Sequence, residues 1–197
     1  MTRRLHKPML AAVLASTALF AQAETGTFTC AAGTFADCSL ATSTLSWSWD
    51  GLNFEVDNSG SGYVSEVYFD LGAGMAASFV GGTGGNVAFY AGASPGSLPG
   101  GPVTFQSDAS FDSDPAGDLS NGINGGETAT FAITGAAGDS FDLGALTAGL
   151  HVRSLVTASA SVITLVPVPA VPEPQTYALL LAGLGAMGFV GRRRRAD

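Results

Sequence analysis

The chain has 197 residues and a formal net charge of −8, and 46% of its residues are hydrophobic. Its charge is segregated: seven of the eight Lys and Arg residues stand at the two ends, while the stretch from Glu24 to Pro169 has fourteen Asp and Glu residues against Arg153 alone. A body this acidic repels phosphate backbones, which argues against nucleic acid as a partner. Basic residues confined to the ends are typical of targeting signals rather than of a fold.

The first 23 residues have the pattern of a secretory signal peptide. A basic start, MTRRLHKP, precedes the apolar run MLAAVLASTALF, and AQA then supplies small residues at Ala21 and Ala23. A run of twelve residues is too short to cross about 30 Å of hydrocarbon at about 1.5 Å per residue. The sequence therefore predicts a signal peptide over residues 1–23 with cleavage after Ala23, rather than an N-terminal membrane anchor.

The two cysteines, Cys30 and Cys38, stand close together just after this signal. In the oxidising compartment that export implies, such a pair is most simply a structural disulfide. A metal pair and a redox pair are the alternatives. The first has no neighbouring Cys or His to complete a zinc site, and a spacing of seven intervening residues is not a redox motif.

Residues 24–165 have the length of one domain and the pattern of many short strands. In LSWSW, Leu45, Trp47 and Trp49 alternate with serines, and similar runs recur up to SVITLVPV, most of them bounded by Gly, Asn, Asp or Pro. Asp50-Gly51 between two such runs is a strong hairpin signal. We predict an all-β ectodomain, an antiparallel β-sandwich that is jelly-roll-like, with its alternating tryptophans in the core.

This domain has few candidate catalytic residues. His151 is the one histidine after the signal peptide, and no G-x-S-x-G motif accompanies it. Any two of the fourteen carboxylates could converge as a glycosidase pair, but nothing in the sequence marks a pair. We therefore expect His151 to be structural or exposed and the protein to have no enzymatic activity and no cofactor.

An acidic loop, SDASFDSDPAGD, raises one metal hypothesis. Clustered carboxylates in an exported protein suit Ca²⁺, which prefers several oxygen ligands. In the EF-hand register, however, Ala116 and Ile123 fall where liganding side chains are required. A solvated acidic loop is the simpler interpretation. The candidate Ca²⁺ ligands are Asp108, Asp112, Asp114 and Asp118.

The C-terminal region divides into a spacer and a membrane segment. Residues 166–174, VPVPAVPEP, contain four prolines in nine residues, which favours an extended, semi-rigid spacer. Residues 175–197 begin with an uncharged run of seventeen residues and continue with Arg192, Arg193, Arg194 and Arg195. We predict a single transmembrane helix. The arginines that follow it stay on the cytoplasmic side and act as a stop-transfer signal.

This tail resembles the PEP-CTERM sorting signal, through Pro172-Glu173-Pro174, the apolar Gly- and Ala-rich segment and the terminal arginines. The resemblance implies a Gram-negative source and processing by an exosortase of the inner membrane, with Pro172, Glu173 and Pro174 as the recognition residues. It also implies removal of the tail and delivery to the cell surface or an exopolysaccharide biofilm matrix.

The sequence thus predicts an exported protein, transiently anchored in the inner membrane and then sorted to the surface or matrix, without catalytic activity. Its partners would be the exosortase and exopolysaccharide. The alternatives are a small secreted hydrolase, a Ca²⁺-dependent carbohydrate-binding module and a single-pass membrane protein that is never cleaved.

Overall fold

The structure is a computed structural model that describes residues 24–113, 121–135 and 146–164, together with Gly183. The predicted signal peptide and Pro-rich spacer lie outside the described residues, as does the predicted C-terminal helix with its arginines, apart from Gly183. The described part of the chain contains no helix with the length and apolar character needed to cross a membrane.

The described residues form strands and a helix whose bounds follow the chain order. They are β1 (Glu24–Ala32), α1 (Phe35–Thr44), β2 (Leu45–Trp49), β3 (Asn53–Asn58), β4 (Tyr63–Asp70), β5 (Ala76–Thr83), β6 (Tyr90–Ala91), β7 (Ala109–Asp112), β8 (Glu127–Thr134), β9 (Thr147–Arg153) and β10 (Ser159–Thr164).

The strands make one antiparallel sheet in the order β5-β8-β3-β2-β1-β10-β9-β4-β7-β6. Residues 24–27 of β1 pair with β2, whereas residues 28–32 pair with β10, so β1 joins a first half-sheet (β5, β8, β3, β2) to a second (β10, β9, β4, β7, β6). The sheet curls until β5 approaches β7, which leaves it barrel-like and nearly closed. The antiparallel all-β class is confirmed, and the division into the two sheets of a jelly-roll-like sandwich stays a prediction.

The hairpin predicted at Asp50-Gly51 joins β2 to β3. The Asp50 carboxylate accepts hydrogen bonds from the backbone N–H groups of Leu52 at 2.8 Å and Asn53 at 2.6 Å. Gly51 has a φ of 101°, a left-handed conformation that glycine adopts without steric cost. The hydrogen bonds of the Asp50 side chain and the positive φ of Gly51 therefore both favour a turn at this place.

Aromatic side chains from both half-sheets fill the space between them. Phe131 on β8 lies at the centre, with ring centroids 5.3 Å from Phe69 on β4 and 5.1 Å from Phe111 on β7. The ring centroids of Phe79 and Phe89 also lie close to that of Phe131, at 5.6 and 5.5 Å. These separations are those of favourable aromatic pairs, so one cluster holds the two halves of the sheet together.

Trp47 and Trp49 belong to this interior, as predicted, with 8% and 5% of their surfaces exposed. The Trp47 ring lies across β1, where its indole N–H donates to the Thr27 carbonyl at 3.2 Å. A Cβ atom on Gly26 would stand only 2.5 Å from that ring. Glycine at position 26 thus permits the close approach of β1 and the tryptophan.

Helix α1 was not predicted from the sequence. Its first turn is capped by Thr34, whose hydroxyl oxygen accepts from the Asp37 backbone N–H at 3.3 Å. The structure also brings the sulfur atoms of Cys30 on β1 and Cys38 on α1 to disulfide distance, with Cα atoms 5.4 Å apart. This is the pairing that the sequence predicted, and it fixes the helix to the sheet.

Candidate functional site

A line of polar side chains crosses the second half-sheet from strand to strand. Pairing of β10 with β9, β9 with β4, β4 with β7 and β7 with β6 places one residue of each strand beside the next. We call this set the polar row. Its members are Ser161, His151, Glu66, Asp112 and Tyr90.

Glu66 is the charged centre of the polar row and is only 1% exposed. Its Oε1 atom accepts a hydrogen bond from the guanidinium of Arg153, whose side chain is 44% exposed. Burial raises the pKa of Glu66, and the charge of Arg153 opposes that rise. Among the described residues, Oε2 of Glu66 has no hydrogen-bond partner. The single basic residue of the ectodomain is therefore engaged with a buried carboxyl.

His151 forms a pair with Ser161, with 3.1 Å between its Nδ1 atom and the serine Oγ. Burial lowers the pKa of His151, and the positive charge of Arg153 lowers it further, so both effects favour the neutral imidazole. Both residues border a depression of about 260 Å³ that also touches Gly33 and Gly100. Because Ser161 is only 2% exposed, this arrangement fits a structural role for His151.

A second candidate surface lies on the outer face of the first half-sheet. A depression of about 530 Å³ runs across β1, β2 and β3. Its polar side chains stand in two cross-strand rows, Thr25–Ser48–Glu55 and Thr27–Ser46–Asp57. We call these six residues the outer trough.

The rows of the outer trough continue onto β8 and β5. Thr130 lies opposite Glu55, and its hydroxyl donates to Glu55 Oε2 at 3.3 Å. Thr128 lies opposite Asp57, and its hydroxyl is 2.8 Å from that of Thr83. The outer face thus presents hydroxyl and carboxylate groups over five adjacent strands.

Of the four residues predicted as Ca²⁺ ligands, the structure describes two. Asp108 accepts from the Leu71 backbone N–H at 2.8 Å, whereas Asp112 lies on β7 within the polar row. Asp114 and Asp118 lie outside the described residues. Within the described ranges, no three His, Cys, Asp or Glu side chains are placed to hold a metal ion together. The Ca²⁺ hypothesis stays a prediction.

Asp37 is a polar group that sequence reasoning missed. Its carboxylate accepts hydrogen bonds from the backbone N–H of Thr157 at 2.8 Å, from the Thr157 hydroxyl, and from the Thr34 hydroxyl at 2.8 Å. The Thr157 hydroxyl and N–H groups lower the pKa of Asp37 to about 2. Thr34-x-x-Asp37 is a helix-capping pattern, which was the signal available in the sequence.

The residues predicted for sorting, Pro172, Glu173, Pro174 and the four arginines from Arg192 to Arg195, lie outside the described residues. The family model of the PEP-CTERM protein-sorting motif matches residues 170–195. The chain therefore carries this sorting motif, which confirms the resemblance seen in the sequence and implies an exosortase as its processing partner. No curated protein and no solved structure matches the chain significantly.

Proposed function

We propose that this protein is a non-catalytic component of the cell surface or the extracellular matrix, delivered there by exosortase processing. The observation that carries the proposal is the match of residues 170–195 to the PEP-CTERM protein-sorting motif. In the proposed pathway, residues 1–23 direct export, and the C-terminal helix anchors the chain transiently until the exosortase cuts near Pro172-Glu173-Pro174. The β-domain is then released as cargo in contact with exopolysaccharide.

Two features of the described residues support a binding role over a catalytic one. Glu66 is paired with Arg153, and Ser161 beside His151 is almost entirely buried. Neither Glu66 nor Ser161 is therefore accessible to a substrate. The outer trough, by contrast, offers open polar groups. The disulfide between Cys30 and Cys38 suits the oxidising environment outside the cytoplasm.

The test compares the C-terminus of the protein in cells with and without an active exosortase. Protein from the surface or matrix of normal cells should lack Arg192–Arg195 by mass analysis. In exosortase-deficient cells the intact tail should stay in the membrane fraction. Replacing Pro172-Glu173-Pro174 by alanines should also block processing, while Pro167→Ala in the same spacer should leave it unchanged. Surface protein that still carries the arginines would refute the proposal.

A further inference from the structure

The outer trough carries two carboxylates, and the one Lys or Arg among the described residues, Arg153, is engaged elsewhere. Glu55 and Asp57 point from β3 into the trough. Between Glu24 and Pro169 the chain has one basic residue, Arg153, and Arg153 is paired with Glu66 on the second half-sheet. The described residues contain no further Lys or Arg that could neutralise the trough, which leaves its charge open to a ligand or to dissolved ions.

The remaining groups of the outer trough are hydroxyls. Thr25 and Thr27 line one side and Ser46 and Ser48 form the middle. Along a strand such groups repeat every two residues, about 6.6 Å apart, and between strands about 4.8 Å apart. The small serine side chains on β2 leave room between the threonines of β1 and the carboxylates of β3. A shallow, hydroxyl-lined channel of this kind suits the edges of sugar rings.

A basic peptide is the competing kind of ligand. Extended peptides usually bind to proteins by adding a strand to an open sheet edge and by filling side-chain pockets. In the outer trough, β1, β2 and β3 are each paired on both sides, so their backbone groups are not available for strand addition. The depression is lined by four hydroxyls and two carboxylates, beside Gly26 and the ring of Trp47. These features favour a saccharide over a peptide.

We propose that the outer trough binds a cationic polysaccharide, one whose sugars carry free amino groups. Ammonium groups of the polymer lie against Glu55 and Asp57, and sugar hydroxyls exchange hydrogen bonds with Thr25, Thr27 and the two serines. This inference rests on the proposed function, since it identifies the class of matrix polymer that the exported domain contacts. Each binding unit contributes weakly because the carboxylates are only half-buried, and a polymer gains strength by contacting many copies of the protein.

The binding test uses the full-length chain in mild detergent, so that it does not depend on processing by an exosortase. A soluble oligomer of β-linked glucosamine is titrated calorimetrically, beside its N-acetylated counterpart of equal length. The N-acetylated oligomer should bind about tenfold more weakly, a difference of about 1.4 kcal/mol. Added salt should weaken binding of the glucosamine oligomer through charge screening.

Single substitutions locate the interaction. Asp57→Asn should weaken binding of the glucosamine oligomer about three- to fivefold, and Glu55→Gln together with Asp57→Asn about tenfold. Asp70→Asn, the same change in the second half-sheet, should leave binding unchanged. Thermal melting checks that each variant is folded, and Glu55→Gln alone serves as the second probe if Asp57→Asn melts early.

Several outcomes would overturn the proposal. They are equal affinity for the two oligomers, an unchanged affinity in Asp57→Asn and Glu55→Gln, an equal loss in Asp70→Asn, or tighter binding of an oligolysine peptide that displaces the sugar. Failure of this test leaves the sorting proposal intact, because sorting is read from the C-terminus of protein in cells. Failure of sorting, in turn, leaves the binding result intact.

Discussion

The carboxylate of Asp37 connects the start of α1 with the turn between β9 and β10. It receives hydrogen bonds from Thr157 and from the helix cap Thr34. All of these donors favour the ionised form, which is why the pKa of Asp37 falls to about 2. Thr157 lies 120 residues away in the chain, so this contact also links two distant parts of the sequence.

The low pKa of Asp37 predicts a loss of stability in acid. Because the folded pKa lies below the unfolded value, the stabilising contribution is complete above about pH 4. It is lost as the pH falls through about 2. Urea unfolding midpoints measured across this range should fall for the natural protein, and Asp37→Asn should show a lower midpoint at neutral pH and a flatter decline in acid.

Asp57→Asn is the control for this pH profile, since it removes a carboxylate from the outer face without touching α1. A profile for Asp37→Asn as steep as that of the natural protein would show that other groups cause the acid sensitivity.

The sequence predicts the burial of some residues but not the pairing of others. The alternation around Trp47 and Trp49 was enough to predict their burial, because it depends on local strand geometry. The pairing of Glu66 with Arg153 was not predictable, since it joins residues 87 positions apart whose strands are neighbours only through the sheet order.

At the scale of elements, the strands followed from the sequence more readily than the helix. Period-two patterns and the Asp50-Gly51 turn predicted β2 and β3. Helix α1 has the sequence FADCSLATST, in which Ser and Thr are weak helix formers. Their hydroxyls bond back to backbone carbonyls, as Thr42 does to Cys38 at 2.9 Å. The helix thus depends on its tertiary contacts, including the disulfide to β1.

Removing the disulfide should therefore weaken the attachment of α1. Cys30 and Cys38 are separated by 8 positions, and closing a loop of that size stabilises a protein by about 2.5 kcal/mol on the chain-entropy model. Cys30→Ser with Cys38→Ser should lower the free energy of unfolding by about that amount. Denaturant titration measures the loss, and hydrogen exchange should show faster exchange of amides in α1 than in β8.

Reduction of the natural protein by dithiothreitol is the matched control, and it should reproduce the destabilisation. A double variant as stable as the oxidised natural protein would contradict a stabilising role for the bridge.

At the scale of the whole molecule, the antiparallel class could be predicted but the strand order could not. Alternation and turn signals report on neighbouring segments, whereas β5 pairs with β8 and β4 pairs with β9 across long stretches of chain. Strand β1 changes its partner from β2 to β10 after Thr27 and has a register shift between Cys30 and Ala32, and neither feature has a separate signal in the sequence. The outer trough crosses three strands that are consecutive in the chain, but the unpredicted helix α1 lies between β1 and β2, which explains why its six residues did not stand out as a set.

The aromatic cluster predicts how the molecule unfolds as a unit. Phe131 is fully buried on β8 and contacts rings on both half-sheets, so Phe131→Ala removes contacts from both sides at once. We expect a loss of about 3–5 kcal/mol, the usual range for a core phenylalanine. Because one cluster joins the halves, the natural protein should unfold in one transition, with tryptophan fluorescence reporting the first half-sheet and tyrosine absorbance mainly the second. Phe131→Leu keeps most of the volume and should lose less. Two separate transitions in the natural protein would show that the half-sheets are stable independently and that the Phe131 cluster does not couple them.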